Sequence, residues 1–376
     1  MINEKSKYFA VDRLAGVVLL LAIVWGAWQA VASFRAMSWN ALPESADAWR
    51  TGELTAVLNR QFEQQLPARA ELIGFANGVR YKLTGGAGEQ VFAGSDGWLF
   101  LAEELMVRPD AEQNLTRRIE FIARLSKSLA AEDVQLFVAL VPDKARIYRA
   151  FLPFDYPAAH EGRYNISRER LLAAGVNVVD LRQALQHGAE NKLTYYRTDT
   201  HWNQQGARQS AFALAGELSE MAAAWPKTQF ETNAPGTEVE RPGDLMRLMG
   251  VAEMPAFLRP ASDQELPLQT RKRSENAPAA GLFGDQNLPA VLAGTSYSLR
   301  GNFHGFLQEV LSVEVLNVAR DGSGFLQSIR EYLKDDAFLS SKPQVLIWEL
   351  PERFLTLDLN IDREMMEEVD HARQHN

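Results

Sequence analysis

The feature that most limits the fold of this chain is a set of short, continuously apolar runs at residues 136–141, 176–181, 290–293, 313–318 and 345–350, with amphipathic patterns between them. A strand that is apolar at every position has both faces buried, and in parallel sheets helices packed on either side do the burying. Helical spacing of apolar residues is read over 115–131, around 165–174, from near Trp202 to about 218, near 303–311 and near 324–334. The alternation predicts an α/β fold with a mostly parallel sheet covered on both faces. Ligands of such sheets sit outside the carboxyl ends of the strands, so the residues that follow each run are the ones placed for chemistry.

Upstream of this pattern, Gly94-Ser95-Asp96-Gly97 reads as a hairpin turn before the short apolar strand Trp98-Leu99-Phe100-Leu101. The main domain is therefore expected over 91–376, preceded by a mostly helical segment at 35–90. Within the domain, about 222–288 breaks the rhythm with Pro, Asn, Gly and mixed charges, including Arg271-Lys272-Arg273. It is too long for a plain connection. It reads as a surface insertion, either shaping an entrance or acceptor groove or serving as a decorative loop.

Residues 14–34 are apolar apart from Gln29, Ser33 and small residues, and roughly 20 such residues span a hydrocarbon layer of ~30 Å as a helix. Lys5, Lys7 and Arg13 precede the run. By the positive-inside bias, 1–13 is expected in the cytoplasm, 14–34 as a transmembrane signal anchor, and the rest exported. Ala30-Val31-Ala32 leaves a cleaved signal peptide as the alternative. The net charge of −9 argues against nucleic acid as a partner, since phosphate binding wants a basic face. The absence of cysteine excludes disulfides, thiolate metal sites and a cysteine nucleophile.

The chemistry-bearing residues lie in two places. Gly294-Thr295-Ser296-Tyr297-Ser298 follows an apolar run and puts Ser296 at a strand end. Asp199-Thr200-His201 stands upstream, at the entry of the helix that begins near Trp202. A serine hydroxyl becomes a useful nucleophile when an imidazole takes its proton, and the imidazole works best with a carboxylate that fixes its tautomer. Of the six histidines, His371 and His375 lie in a polar tail, His187 in a turn and His160 in a Pro-Ala-rich loop; His304 has no nearby carboxylate. That leaves His201 as the base, with Asp199 orienting it or capping the next helix, or both. Metal ligation by Asp199 and His201 competes with this reading, but neither cysteine nor a second histidine stands at ligand spacing, so no metal is expected. Gly322-Ser323-Gly324 lacks the lysine and spacing of a P-loop.

At these residues the chain resembles the AlgJ/AlgX family of alginate O-acetyltransferases, which are SGNH-hydrolase-like. The resemblance runs through Asp96-Gly97-Trp98-Leu99-Phe100, Val141-Pro142 with Lys144-Ala145-Arg146, and Arg197-Thr198-Asp199-Thr200-His201-Trp202. It continues through Gly243-Asp244-Leu245, Leu282-Phe283-Gly284-Asp285, Gly294-Thr295-Ser296-Tyr297-Ser298, and Trp348-Glu349 with Pro351-Glu352-Arg353.

The resemblance implies an SGNH-like α/β/α sandwich with permuted catalytic order, in which Ser296 is the nucleophile, His201 the base and Asp199 the orienting acid. It implies a protein of the bacterial inner membrane with its catalytic domain in the periplasm. The acceptor would be an exopolysaccharide, alginate or a related polymer such as cellulose. No cofactor is implied. The acetyl donor would come from a partner, a membrane-bound O-acyltransferase of the AlgI type, within a larger acetylation and secretion assembly. For the oxyanion, the backbone N–H of Ser296 is the first candidate, with Asn302 and Gly322 as additions. Lys144, Arg146 and Arg353 are candidates for the acceptor path, with salt bridging at the strand ends as their structural alternative. The rival functions are a carbohydrate esterase that uses water with the same residues, and a non-catalytic assembly subunit.

Overall fold

Five strands carry the architecture: β1 (Gln135–Val141), β2 (Asn177–Asp180), β3 (Ala290–Ala293), β4 (Val315–Asn317) and β5 (Val345–Pro351). In the computed structural model, which describes residues 4–43, 45, 47–65, 69–273, 288–360 and 362–374, they form one sheet in the order β4-β3-β5-β1-β2. Every pairing is parallel, with Val345 opposite both Gln135 and Ala290. Because side chains alternate across a strand, each run feeds two cores. Phe137, Ala139, Val141, Leu292 and Ile347 pack against the helices Leu181–Asn191, Gln204–Ala222 and Phe303–Leu311. Leu136, Val138, Leu140, Val291 and Trp348 pack against Ala111–Ala130, Arg163–Ala173 and Gln327–Lys334. The result is an α/β/α sandwich whose strand ends β1, β3 and β5 lie side by side.

The C-terminal residues, read above as a polar tail, form the helix Asp362–Gln374 and bury Met366 and Val369 in the second core. Their apolar positions are too few to stand out in sequence, but they share one face. Arg118, fully buried, fastens the approach to this helix by donating to the carbonyls of Leu357 (2.5 Å) and Asp358 (3.2 Å) and pairing with Asp362.

The region at 222–288 is more ordered in its described part than an inserted loop would be. Phe230–Asn233 pairs antiparallel with Gln269–Lys272, Val239–Arg241 pairs with Asp263–Glu265, and Asp244–Leu248 is a short helix. The Leu282-Phe283-Gly284-Asp285 motif lies outside the described residues.

The chain divides into two compact units, 1–76 and 77–376. The first is helical, with Glu4–Ala36, Asp47–Thr51 and Glu53–Gln65. It corrects the sequence expectation of a membrane anchor at 14–34. Among the described residues no helix is long and apolar enough to cross a membrane. The run is instead part of the helix Glu4–Ala36, which buries Gln29 and Ser33, and Ser33 Oγ donates to the Gln65 carbonyl at 3.3 Å. The inner-membrane anchorage falls with that expectation.

Candidate active site

The segment that carries Asp199 and His201 is an irregular loop closed at its base by a bridge between Tyr195 and Trp202. A buried loop must satisfy its backbone without a helix or sheet ladder, and here charged side chains do so from two sides. From inside, Lys144 Nζ donates to the carbonyls of Tyr196 (3.1 Å), Arg197 (3.2 Å) and Asp199 (2.7 Å). From the other side, Asp263 accepts from the backbone N–H groups of Arg197 and Thr198, each at 2.9 Å, and from the Thr198 hydroxyl at 2.7 Å. Asp244 Oδ1 accepts from the Thr200 N–H at 2.7 Å. Gly243 permits the close approach of this helix start, since a Cβ there would lie 2.0 Å from the Thr198 carbonyl oxygen.

The loop presents a continuous hydrogen-bonded line. His201 Nδ1 lies 2.6 Å from Asp199 Oδ1, and Nε2 lies 2.7 Å from Ser296 Oγ. A carboxylate only accepts, so Nδ1 bears the proton and Nε2 is left to accept from the serine hydroxyl. Asp199 also accepts from the His201 N–H (3.0 Å) and the Asp244 N–H (3.1 Å), with Arg241 at 3.7 Å. Burial works to raise the Asp199 carboxyl. The hydrogen bond and charge of His201, with Arg241 behind, outweigh it and hold the group well below the usual carboxylate range. Asp199 does not cap the following helix: Asn203 does, accepting from the Gly206 N–H at 3.0 Å.

Ser296 opens a 3-10 turn, Ser296–Leu299, just past the end of β3. The neighbouring strand β5 supplies Glu349, fully buried, which accepts from Thr295 N (2.7 Å), Ser298 N (3.3 Å) and the hydroxyls of both Thr295 and Ser298. Ser298 is thereby occupied in holding the turn, while Ser296 faces the imidazole. Burial raises the Glu349 carboxyl above its ordinary value despite these donors. Tyr297 ties the turn to the loop, since its hydroxyl donates to the Thr200 carbonyl (2.9 Å) and its own carbonyl accepts from the Trp202 indole (3.1 Å).

A cavity of about 480 Å³ opens beside this line, with Asp199, His201, Arg241, Asp244, Arg247 and Arg300 in its wall. The cationic candidates from the sequence do not reach it. Lys144 is fully buried beneath the loop. Arg146 is committed to Glu352 (2.7 and 2.9 Å) and to the His160 carbonyl (2.6 Å). Arg353 is buried beside Glu103 and Asp143, over the Tyr297 ring. Thus the structural alternative describes Arg146 and Arg353, and Lys144 is a brace for backbone carbonyls.

Of the oxyanion candidates, the Ser296 amide stands at the first residue of its turn, where an N–H has no acceptor within the turn. The Asn302 amide donates to Thr270 Oγ1 at 2.8 Å and is engaged there. Gly322 lies in a segment hung on the Gly294 carbonyl by Arg320 N (3.2 Å) and Ser323 Oγ (2.9 Å). His304 Nε2 donates to the Val315 carbonyl at 2.7 Å, away from any carboxylate. Sequence reasoning missed Arg241, Asp244 and Asp263 as site residues. Only Asp244 left a signal, within the Gly243-Asp244-Leu245 motif.

Residues 91–352 match the family described as SGNH hydrolase-like domain, acetyltransferase AlgX. The probable alginate O-acetylase AlgJ of Pseudomonas putida is 32% identical over 310 residues, 81% of this chain and 80% of that protein. Its counterpart in Pseudomonas aeruginosa is 33% identical over 320 residues, 81% of each. Among solved structures, the O-acetyltransferase domain of Pseudomonas putida AlgJ aligns with a TM-score of 0.65 and 31% identity, covering 76% of this chain and 100% of that one.

Proposed function

The chain belongs to the SGNH hydrolase-like AlgX family of acetyltransferases and is an O-acetyltransferase, and on that footing we propose that it moves acetyl groups onto hydroxyls of an exopolysaccharide, alginate or a related polymer, through an acetyl-serine at Ser296. The observation that carries this reading is the unbroken line Asp199–His201–Ser296 at the end of β3, with contacts of 2.6 and 2.7 Å.

His201 Nε2 takes the hydroxyl proton as Ser296 Oγ attacks the donor carbonyl, and Asp199 stabilises the imidazolium that forms. The developing oxyanion meets the Ser296 N–H. Collapse breaks the bond to the donor's leaving group, which departs with the proton from His201, and the acetyl group stays on Ser296. A sugar hydroxyl then enters from the cavity, gives its proton to the same nitrogen and attacks the ester. Ser296 recovers its proton as the acetylated sugar leaves. The chain brings no cofactor of its own in this scheme. A partner acyltransferase of the acetylation assembly supplies the acetyl donor.

The test is acetylation of the polymer by Ser296→Ala and Ser298→Ala variants, with released acetate measured alongside. Ser296→Ala is expected to lose acetyl transfer and Ser298→Ala to keep most of it. Reversed effects would mean that the nucleophile is misassigned. Release of acetate with no transfer to polymer would instead favour the esterase.

A further inference from the structure

His201 Nδ1 has a second carboxylate beside it. Asp244 Oδ2 lies 3.5 Å from that nitrogen, against 2.6 Å for Asp199 Oδ1. The two acids are linked to each other, since the Asp244 N–H donates to Asp199 Oδ2 at 3.1 Å. Asp244 also grips the residue between them, with its Oδ1 accepting from Thr200 N (2.7 Å) and Thr200 Oγ1 (3.2 Å). It is the first residue of the helix Asp244–Leu248, so it enters the site from the region at 222–288 and not from the loop that carries His201.

Resting on the reading of His201 as the base, we propose that Asp244 is a positioning residue for it: a second carboxylate that fixes the Asp199-Thr200-His201 step and adds its charge to the field on Nδ1. Two roles separate in its two oxygens. Oδ1 holds the loop backbone, and Oδ2 faces the imidazole. The other charged groups around the pair are Arg241, which approaches Asp199 at 3.7 Å and Glu265 at 3.5 Å, Arg247 and Arg300 in the cavity wall, Lys144 beneath the loop, and Glu349 across the serine turn. Burial, and then repulsion from Asp199, raise the Asp244 carboxyl above its ordinary value. When His201 takes the Ser296 proton, two carboxylates near Nδ1 face the imidazolium and stabilise it. A site with Asp199 alone would keep the tautomer but lose part of that stabilisation.

The experiment is the pH–rate profile of the full chain with p-nitrophenyl acetate as the acetyl donor, for wild type, Asp244→Asn and Ser296→Ala. The carboxamide oxygen still accepts from Thr200 N–H, so Asp244→Asn keeps the backbone grip and removes the charge. Its kcat is expected to fall about 10-fold, and the acid limb of kcat/KM to move down by about half a pH unit or more, as loss of a neighbouring opposite charge requires. Asp244→Ser, which likewise accepts a hydrogen bond and carries no charge, gives the same readout if the amide variant does not fold. An acid limb unmoved in a folded variant, whatever its kcat, would overturn the proposal and leave Asp244 as a brace for Thr200 alone. Ser296→Ala separates the two readings: if it retains turnover, the site assignment fails and the proposal with it; if it is inactive while Asp244→Asn is normal, only the proposal falls.

Discussion

Lys144 Nζ lies 2.7 Å from the carbonyl oxygen of Asp199, which stands 55 residues away in sequence. Its three N–H donors meet three carbonyls, which is the full capacity of an ammonium group. The loop that holds the acid and the base is therefore shaped by a cation it does not contain.

Lys144 is expected to couple the site to alkaline pH. Burial lowers its ammonium from 10.5 to about 8, with Glu104, Asp244, Asp199 and Asp263 pulling the other way. Between about 8 and 10.5 the unfolded chain holds a proton that the folded chain has released, so this group's contribution to stability rises with pH across that window. The neutral amine has only two N–H donors and must abandon one carbonyl. Turnover is thus expected to fall above about pH 8 while the melting temperature gains relative to Lys144→Met. A Lys144→Met chain leaves the Tyr196 and Asp199 carbonyls without a donor, at about 1–3 kcal/mol each, while the Arg197 carbonyl keeps the Leu99 N–H at 2.9 Å, and it loses the alkaline inflection in its remaining activity. Parallel pH–rate and melting curves check both arms; an alkaline limb that persists in the methionine chain would assign it elsewhere.

Much of the sheet was legible because strands buried on both faces leave uninterrupted apolar runs, and β1, β3 and β5 are such runs. Ser296, His201 and Asp199 were legible as chemistry because a strand end and an acid two residues before a histidine are local patterns. What braces them was not. Asp263 meets Thr198 across 65 residues and Asp244 meets Thr200 across 44, from a stretch whose Pro, Asn and Gly content resembles a surface loop. Lys144 looks like any cation after a strand until its partners are known to be carbonyls. The run at 14–34 misled because apolar content alone does not separate a membrane span from a helix that buries Gln29 and Ser33 against protein.

The serine turn is expected to be intolerant at Gly294. A Cβ there would stand 2.6 Å from Glu349 Oε2, 2.8 Å from Glu349 Cβ and 2.9 Å from the Glu349 carbonyl oxygen, inside the contact distance of each. Gly294→Ala must therefore push β3 from β5 or displace the carboxylate that holds Thr295 and Ser298. Overpacking of this kind costs about 1–3 kcal/mol, and the displaced Ser296 should lower turnover more than the stability change explains. Denaturant unfolding beside steady-state kinetics provides the comparison. Wild-type kcat in a destabilised Gly294→Ala chain would show that the turn tolerates the shift.

Asp199 separates orientation from architecture, because the helix that follows is capped by Asn203 and does not depend on it. In Asp199→Asn the side chain keeps one oxygen acceptor, which serves either the His201 N–H and Nδ1–H together, from the Oδ1 position, or the Asp244 N–H, from the Oδ2 position, and its NH₂ group must face a donor at the other position. If the amide presents NH₂ to the ring, Nδ1 becomes the acceptor and the proton moves to Nε2, the nitrogen that must take the proton from Ser296. A wrong tautomer of this kind lowers turnover by up to about four orders of magnitude in serine triads. Stability should fall far less. The lost charge of Asp199 is replaced by a neutral group with the same shape, and Arg241 still has Glu265 at 3.5 Å. The expected result is a folded chain that melts within a few degrees of wild type and transfers almost no acetyl. Combining it with His201→Ala should add little, because residues that act as one unit are not additive. A well-folded Asp199→Asn chain with substantial acetyl transfer would remove the carboxylate from the mechanism and leave His201 to be oriented by Asp244.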